Sequence, residues 1–392
     1  MINVYTASTL EIDDVQSAVS SICSQLNQQG KIGDGAIGLI SCQYEFVLSG
    51  VVDGLRKALP FPIAGCSSST MAIAPIPNGL LQNQAEGDLC LILMVLCGGE
   101  FSFDTAVTEP VSLDKDIEVA CRPIFENRKK PSFVWVFSPC VGTVAGDLLV
   151  EAITKLSGGA LVFGGFSVDD SPTFQENCFV ITPDGDYRDR VGFVCFYGDI
   201  QPSFFNASIS KKRIFDREFI VTEANGNEVI SINDKSSIEF LDTIGITPEM
   251  ARSAILTNLV LAIYVDESTY YPRQIINFSD NDTLILGGTV EVGTRFRVGR
   301  FDKNDMLGSA QKITQKALEL IPKKSFAVIL SCASRSVLLG SESLDEVHMV
   351  REVIGDLPFL MAYAGGEICP LVRRDGSVFN HFQNGAFIIC VI

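Results

Sequence analysis

Positive charge is scarce in this chain. Its 392 residues carry 30 Lys and Arg against 47 Asp and Glu, a formal net charge of −17, and basic groups such as Lys211 to Arg213 are short. A surface of that sign repels phosphate backbones and anionic lipid, so neither nucleic acid nor a membrane is an expected partner. Histidine is almost missing: His348 and His381 are the whole complement, and the twelve cysteines form no CxxC pair. Metal-ligand spacing is therefore lacking, and no metal or cofactor is expected. No apolar run approaches the roughly 20 residues that span a bilayer, and residues 1–12 have neither a basic nor a continuous apolar leader region. A cytoplasmic protein is expected, with its cysteines as reduced thiols.

Apolar residues are abundant instead. They make up 47% of the chain against 20% charged, enough for a large buried core, and the length suggests two domains. Cys90, Cys97, Cys178, Cys195 and Cys390 lie within apolar strand-like runs, where a thiol packs like a small hydrophobe.

Three distant segments repeat one order of elements. The first has a strand over 37–42 ending in Cys42, then Leu48, Val51, Val52, Leu55 and Leu59 at helical spacing, then a strand over 60–64 closing on Gly65-Cys66-Ser67. The second has a strand over 133–137 leading to Ser138-Pro139-Cys140, a helix carrying Leu148, Leu149, Ala152, Ile153 and Leu156, and a strand over 160–163 closing on Gly164-Gly165. The third has a strand over 326–330 leading to Ser331-Cys332. Its helix begins at Ser343, with Glu346 at the reciprocal position of a capping box, and a strand over 359–362 closes on Tyr363-Ala364-Gly365-Gly366-Glu367. Strands or hairpins follow each copy at 88–97, at 178–182 with 191–197, and at 368–372 with 386–391; Asp184-Gly185 and Asp375-Gly376 supply the turns. Amphipathic helices precede the copies at 13–28, 113–126 and 305–320. Short strands and polar turns over 203–235 mark a connection, and strands near 259–265, 283–286 and 294–298 suggest a degenerate fourth unit.

The fold class expected is α/β, a mixed-sheet layered α+β arrangement. It consists of repeated helix-strand-helix-strand-hairpin units in two domains, 1–202 and 236–392, linked by 203–235.

The motifs resemble the FIST sensory family, in which N-terminal and C-terminal FIST domains stand in tandem. The likeness runs through Phe61-Pro62-Ile63-Ala64-Gly65-Cys66-Ser67-Ser68, Phe163-Gly164-Gly165-Phe166-Ser167-Val168-Asp169-Asp170 and Tyr271-Pro272-Arg273. It continues through Ser331-Cys332-Ala333-Ser334-Arg335, Gly366-Glu367-Ile368 and Asn380-His381. The resemblance implies a cytoplasmic sensory and signal-transduction module that binds a small ligand, an amino acid or related metabolite being favoured, and that signals to a protein partner. Ser336 and Ala362 stand where the family usually has glycine, and Thr70 stands where Glu367 aligns.

In an α/β arrangement the loops leaving adjacent strands converge at one edge. Arg335, Glu367, Cys332, Gly365 and Gly366, with Tyr363, Arg273 and His381, then offer a cation, a carboxylate, a thiol and close backbone approach to a zwitterion. The alternative is a structural ion pair between Arg335 and Glu367. Cys42, Cys66, Ser67 and Cys140 are the corresponding loop candidates in the first two copies. Each cysteine there has a packing role to set against a reactive one. A protein-interaction scaffold is a second functional class. A third is an acyl-transfer or hydrolytic enzyme using Cys332 and His381, although no catalytic residue is assigned.

Overall fold

The computed structural model describes residues 2–69, 71–74, 89–113, 115–126, 128–171, 173–251, 258–321 and 325–392. The first unit contains strand β1 (Ile2–Thr9), helix α1 (Val15–Gln29), β2 (Ile37–Cys42), α2 (Glu45–Leu48), α3 (Val51–Ala58), β3 (Ile63–Ser67), β4 (Met71–Ala74) and β5 (Leu91–Gly98). The second contains β6 (Phe101–Val107), α4 (Ile117–Phe125), β7 (Phe133–Ser138), α5 (Gly146–Ser157), β8 (Leu161–Phe166), β9 (Val180–Thr182), β10 (Gly185–Tyr187) and β11 (Gly192–Gly198).

The third unit opens with β12 (Ser203–Ala207) and is then interrupted. The interruption comprises β13 (Ile214–Asn225), β14 (Glu228–Ile232), β15 (Lys235–Ser236), α6 (Ser237–Thr243), α7 (Pro248–Ala251), β16 (Leu259–Tyr264), β17 (Tyr270–Phe278), β18 (Leu284–Leu286) and β19 (Arg295–Arg300). The unit resumes with α8 (Lys303–Leu320), β20 (Ala327–Cys332), α9 (Ala333–Leu339), α10 (Ser343–Ile354), β21 (Phe359–Ala364), β22 (Glu367–Val372), β23 (Val378–Gln383) and β24 (Phe387–Val391).

The three units share one topology. In each, an outer strand (β1, β6, β12) pairs antiparallel with a returning strand (β5, β11, β24). That strand flanks a parallel pair (β2 and β3, β7 and β8, β20 and β21). The central strands are apolar apart from Ser41, Ser138 and Ser331 near their ends; β2 and β7 are buried at every position, as strands covered on both faces must be. The helix preceding each parallel pair is capped by an aspartate: Asp14 for α1, Asp116 for α4 and Asp302 for α8. Each carboxylate accepts from an amide of the first turn, satisfying donors that have no partner within the helix.

The strand following each parallel pair leaves its own sheet. β4 of the first unit pairs with β21 of the third, β9 of the second with β3 of the first, and β22 of the third with β8 of the second. The exchange is cyclic, so each sheet is completed by another unit. The turns expected at Asp184-Gly185 and Asp375-Gly376 do form, but they join β9 to β10 and β22 to β23. The strands β11 and β24, expected to complete those hairpins, return to their own sheets instead.

Inward faces of all three sheets meet in one core containing Leu39, Ile92, Trp135, Phe163, Phe196, Val328, Leu360 and Ile388. Helices cover the outer faces: α1 and α3 over the first, α4 and α5 over the second, α8 and α10 over the third.

The interrupting segment is not a fourth unit. Its strands pair antiparallel in the order β13-β19-β16-β17-β18-β14, and β14 pairs back onto β13, closing a barrel. Phe219, Phe240, Leu261, Leu286 and Phe296 fill its interior. Strands of similar length and apolarity had suggested the repeat, but closure by antiparallel pairing leaves no crossover helix between parallel strands. Residues 203–235 are thereby divided: β12 belongs to the third sheet, and β13 and β14 belong to the barrel.

Equivalent positions can be read from the parallel registers. Ile40 opposes Gly65, Val136 opposes Gly164, and Leu330 opposes Ala362. A methyl group on Gly65 or Gly164 would collide with the carbonyl oxygen of its opposite residue. Cys42 and Cys332 thus correspond to Ser138, and Cys140 lies two residues farther on.

Gly65→Ala is expected to lower the free energy of unfolding by about 3 kcal/mol, the upper end of overpacking costs, because backbone must move. Gly308→Ala, within α8 and facing open space, should raise it by about 0.5–1 kcal/mol. Urea denaturation of both variants checks the pair.

Candidate functional site

The exchange of β22 onto β8 draws the loop ends of the second and third units together, and the barrel strand β17 packs across them. A cleft of about 560 Å³ lies between the three. Cys140, Ser167, Val168 and Phe174 line it from the second unit, Cys332, Ala333, Ser334, Val337, Gly365 and Asn384 from the third, and Gln274 to Asn277 from β17. Four consecutive residues of a strand can face one cavity here because the register of β17 against β18 shifts between Ile275 and Asn277; a bulge re-aims side chains that would otherwise alternate. At the rim, Ile276 is 46% exposed and Val337 is 50% exposed, so the cleft reaches solvent.

None of the described residues lining the cleft carries a charged side chain. Amides, hydroxyls and thiols supply its polarity, and Val141, Ile275, Phe174 and Val337 its apolar wall. Asn384 is buried, donates through Nδ2 to the Gly287 carbonyl at 3.2 Å, and has an Oδ1 that meets no donor. Such a carbonyl is costly to leave unpaired. Among the described residues no group of three or more His, Cys, Asp or Glu side chains is arranged to hold a metal ion.

Of the residues singled out in the sequence, Cys332, Cys140 and Gly365 line the cleft. Arg335 does not. It is wholly buried behind the cleft, where its Nε donates to Glu346 Oε1 at 3.1 Å and its Nη2 donates to the same oxygen and to the Met306 carbonyl at 3.2 Å. Glu346 Oε2 accepts from the Ser331 hydroxyl at 2.6 Å and the Tyr363 hydroxyl at 3.0 Å. Arg335 is thus a structural ion pair, and its partner is Glu346, not Glu367. The Glu346 carboxylate thus turns inward to Arg335, Ser331 and Tyr363 instead of back along its helix as the capping-box reading had it, and the N-cap of α10 is Glu342.

Arg273 is also buried. It pairs with Asp147 at the start of α5, donates from Nη1 to the Phe382 carbonyl at 2.8 Å and lies over the rings of Tyr271 and Phe382. It fastens the barrel to both neighbouring units. His381 packs against Tyr271, ring centroids 3.9 Å apart with the planes tilted by 57°. Burial, with the nearby Arg273 charge, holds its imidazole well below the usual range. It does not line the cleft, so the nucleophile and base considered for Cys332 are not assembled. Gly366 packs under Phe382, Tyr363 is committed to Glu346, and Cys42 lies in the core beneath α3. Cys66 faces a small apolar cavity of about 40 Å³ among the three sheets. Ser67 donates to the Val168 carbonyl at 3.1 Å. Asp169, from the motif that begins at Phe163, is buried beneath the loop, accepting from Ser171 and the Asn177 amide. Thr70 lies outside the described residues.

The two cleft thiols differ sharply. Burial, then the Glu367 carboxylate, push Cys332 up to about 12 despite a 3.1 Å hydrogen bond from Ser334. Glu367 is itself raised well above the carboxylate range by burial, partly offset by the Ala386 amide at 3.1 Å. At neutral pH the Cys332 thiol is protonated. Cys140 goes the other way: a hydrogen bond from Cys178 outweighs burial and, with the Thr143 hydroxyl and the Gly142 and Thr143 amides, lowers its thiol to about 6. No sequence signal separates the two cysteines, and nothing in β17 announces Gln274 or Asn277 as cleft residues. Asn384-Gly385 shows only as a turn dipeptide.

Comparison with known proteins gives a family match in two parts. The FIST N domain matches residues 36–235 and the FIST C domain residues 239–370. Uncharacterized proteins from Mycobacterium bovis (strain ATCC BAA-935 / AF2122/97) and Mycobacterium tuberculosis (strain CDC 1551 / Oshkosh) are each 24% identical over 174 residues, 40% of this chain. The chain spans 43% of the length of these curated relatives. Among solved structures, a cyanuric acid hydrolase aligns over 100% of this chain and 98% of its own at 8% identity and a TM-score of 0.36. The enzyme from A. caulinodans aligns over 100% and 99% at 7% identity and 0.37. T. maritima PurL with FGAR covers 100% and 72% at 6% identity and 0.22. Scores this low transfer no activity.

Glu346→Ala leaves Arg335 as an uncompensated buried charge, so a loss of about 3–5 kcal/mol in urea denaturation is expected. Arg335→Met combined with Glu346→Leu should recover most of it. Glu367 gives a pH signature. Because its folded-state value is raised, its contribution to stability is complete below its ordinary value of 4.5 and is lost as pH rises toward the folded-state value. The stability of Glu367→Gln relative to wild type should therefore improve as pH rises above 4.5; a difference constant across pH would contradict this assignment.

Proposed function

The chain belongs to the FIST family, with its N and C domains in tandem, and from that premise we propose that it is a cytoplasmic small-ligand sensor whose ligand binds in the cleft between the second and third units. FIST domains are associated with sensory and signal-transduction functions. The observation that carries the reading is a solvent-reaching cleft of about 560 Å³ with a buried, unpaired Asn384 carbonyl in its wall. Its volume falls in the range of small-molecule sites, and its mixture of apolar wall and a few polar groups is theirs as well.

The lining also bears on ligand class. The guanidinium that would fork onto an amino-acid carboxylate is committed to Glu346, and the described cleft lining has amides, hydroxyls and thiols but no Lys, Arg, Asp or Glu. A net-neutral metabolite with hydrogen-bond donors and an apolar portion suits it better than a zwitterion. Twelve free cysteines are consistent with a reducing compartment. Signal output is assigned to a protein partner, because a binding event in a cleft closed by three packed elements changes how they sit against one another.

Thermal-shift screening against neutral polar metabolites and amino acids tests the proposal. A ligand present at a hundred times its Kd adds about 2.7 kcal/mol of stability. Any shift should be lost in Asn384→Ala and in Val337→Lys, the latter a substitution at the exposed rim that blocks the cleft without disturbing the core. Absence of shifts across the screen, or shifts that survive both substitutions, would overturn the reading.

A further inference from the structure

The outer strands of the three units are not equally covered. In the first unit, side chains of α1 serve the free edge of β1: Gln29 accepts from the Thr6 amide at 3.0 Å and donates to the Thr6 carbonyl at 2.7 Å. Gln25 does the same for Ser8, at 3.1 Å and 2.7 Å. In the third unit, the 18-residue α8 packs against β12. In the second, α4 has nine residues and carries Pro123; it packs on α5 and makes no comparable contact with β6. β6 is the last strand of its sheet and pairs on one side, with β11. Just beyond the ends of that pairing, and in the same register, the Thr108 amide donates to the Val191 carbonyl and the Asp199 amide to the Glu100 carbonyl. Antiparallel bonding alternates, so Ser102, Asp104 and Ala106 bond to β11, and the N–H and C=O groups of Phe101, Phe103 and Thr105 point out of the sheet. No described residue is hydrogen-bonded to them. An edge left in that state is a template for pairing with another chain.

The same edge borders an open groove of about 390 Å³, lined by Ser102, Phe103, Asp104, Arg128, Lys129 and Tyr197. Ser102 stands opposite Tyr197 and Asp104 opposite Cys195, on the face that α4 and α5 cover elsewhere, whereas Phe101 and Phe103 turn inward against Phe196. Lys129 lies over the Tyr197 ring, 5.6 Å from its centroid. Arg128 and Lys129 are exposed, neither is in a salt bridge with a described residue, and they outnumber the one carboxylate of the groove, in a chain of net charge −17. We propose that β6 receives an extended segment of a partner protein as an added strand, a segment in which apolar residues alternate with acidic ones. Its main chain supplies to Phe101, Phe103 and Thr105 what Gln25 and Gln29 supply to Thr6 and Ser8. Side chains alternate along a strand, so every second one falls beside Phe101 and Phe103 and is apolar, and the others fall beside Ser102 and Asp104, within reach of Arg128 and Lys129, and are acidic. β7 belongs to the same sheet and leads into the Cys140 loop of the cleft. That the added strand carries a signal rests on the cleft being the ligand site; the pairing itself does not.

The test uses the full chain and fluorescence anisotropy with two labelled peptides of about seven residues, one alternating valine with glutamate and one alternating valine with lysine. The glutamate peptide should bind, more weakly as salt is raised, and the lysine peptide should not. Arg128→Glu combined with Lys129→Glu should weaken binding at least about tenfold. Thr105→Pro removes an outward N–H that the folded chain does not use, and proline is tolerated at such an edge position, so the melting temperature should stay near wild type while binding is lost. If that variant melts early, N-methylation of alternate peptide residues removes the same bonds with the protein unchanged and should abolish binding. In hydrogen exchange, the Phe103 and Thr105 amides should be fast in the free chain and slowed by the peptide, with Asp104 slow in both. Absence of binding at millimolar peptide, equal binding of the lysine peptide, or binding that survives N-methylation overturns the proposal. So does a dimer in sedimentation that Thr105→Pro dissolves, which would give the edge to a second copy of the chain. Binding of the glutamate peptide should be unchanged in Val337→Lys, which keeps this surface separate from the cleft: a failed ligand screen leaves the pairing standing, and a failed peptide leaves the cleft.

Discussion

Each of the three sheets is completed by a strand from a different unit, and the rest of the molecule depends on that exchange. β4, β9 and β22 each leave the unit that generates them and close the edge of another. A unit alone would expose both a sheet edge and the apolar inner face that now contributes to a common core. Cyclic pairing removes both liabilities together, and it forces the loop ends of neighbouring units into contact. Short hydrogen bonds record the convergence: Ser68 to the Tyr363 carbonyl at 2.6 Å, and the Gly365 amide to the Phe166 carbonyl at 2.8 Å. The cleft is a by-product of this closure, shaped further by a barrel inserted within the third unit.

Charge is managed in a way that separates scaffold from site. The two arginines that the motifs singled out are both buried and both paired, Arg335 with Glu346 and Arg273 with Asp147. They orient α9 against α10, and the barrel against α5, while no Lys, Arg, Asp or Glu is among the described residues that line the cleft. Taking both charges of such a pair out of water offsets much of their Coulombic attraction, so the pairs add little net stability, yet removing one partner is costly. Burial and local hydrogen bonding set the two thiols apart: burial beside Glu367 pushes Cys332 up, whereas the donors around Cys140 lower it.

Much of the fold was legible before any coordinates. Runs at 37–42, 133–138 and 327–332 are central strands because a strand buried on both faces takes apolar residues at nearly every position, with Ser41, Ser138 and Ser331 standing only near the ends, and helical periodicity marked α3, α5 and α10. Less legible was the strand order. β22 reads as an ordinary apolar strand with a turn after it, and nothing local distinguishes pairing with its own unit from pairing with β8. The barrel was misread for the same reason, since antiparallel and mixed sheets draw on the same residues.

The sequence by itself determined that three copies of one α/β unit would form, that they belong together in a FIST-like tandem, and that cysteine-bearing loops would follow their first strands. These are matters of periodicity, burial and local turn chemistry. Tertiary structure alone decided that Arg335 would meet Glu346 and not a ligand, and that Gln274, Asn277 and Asn384 would face one cleft. Those contacts join residues far apart in the chain, and their energies depend on distance and desolvation, neither of which exists until the sheets have closed.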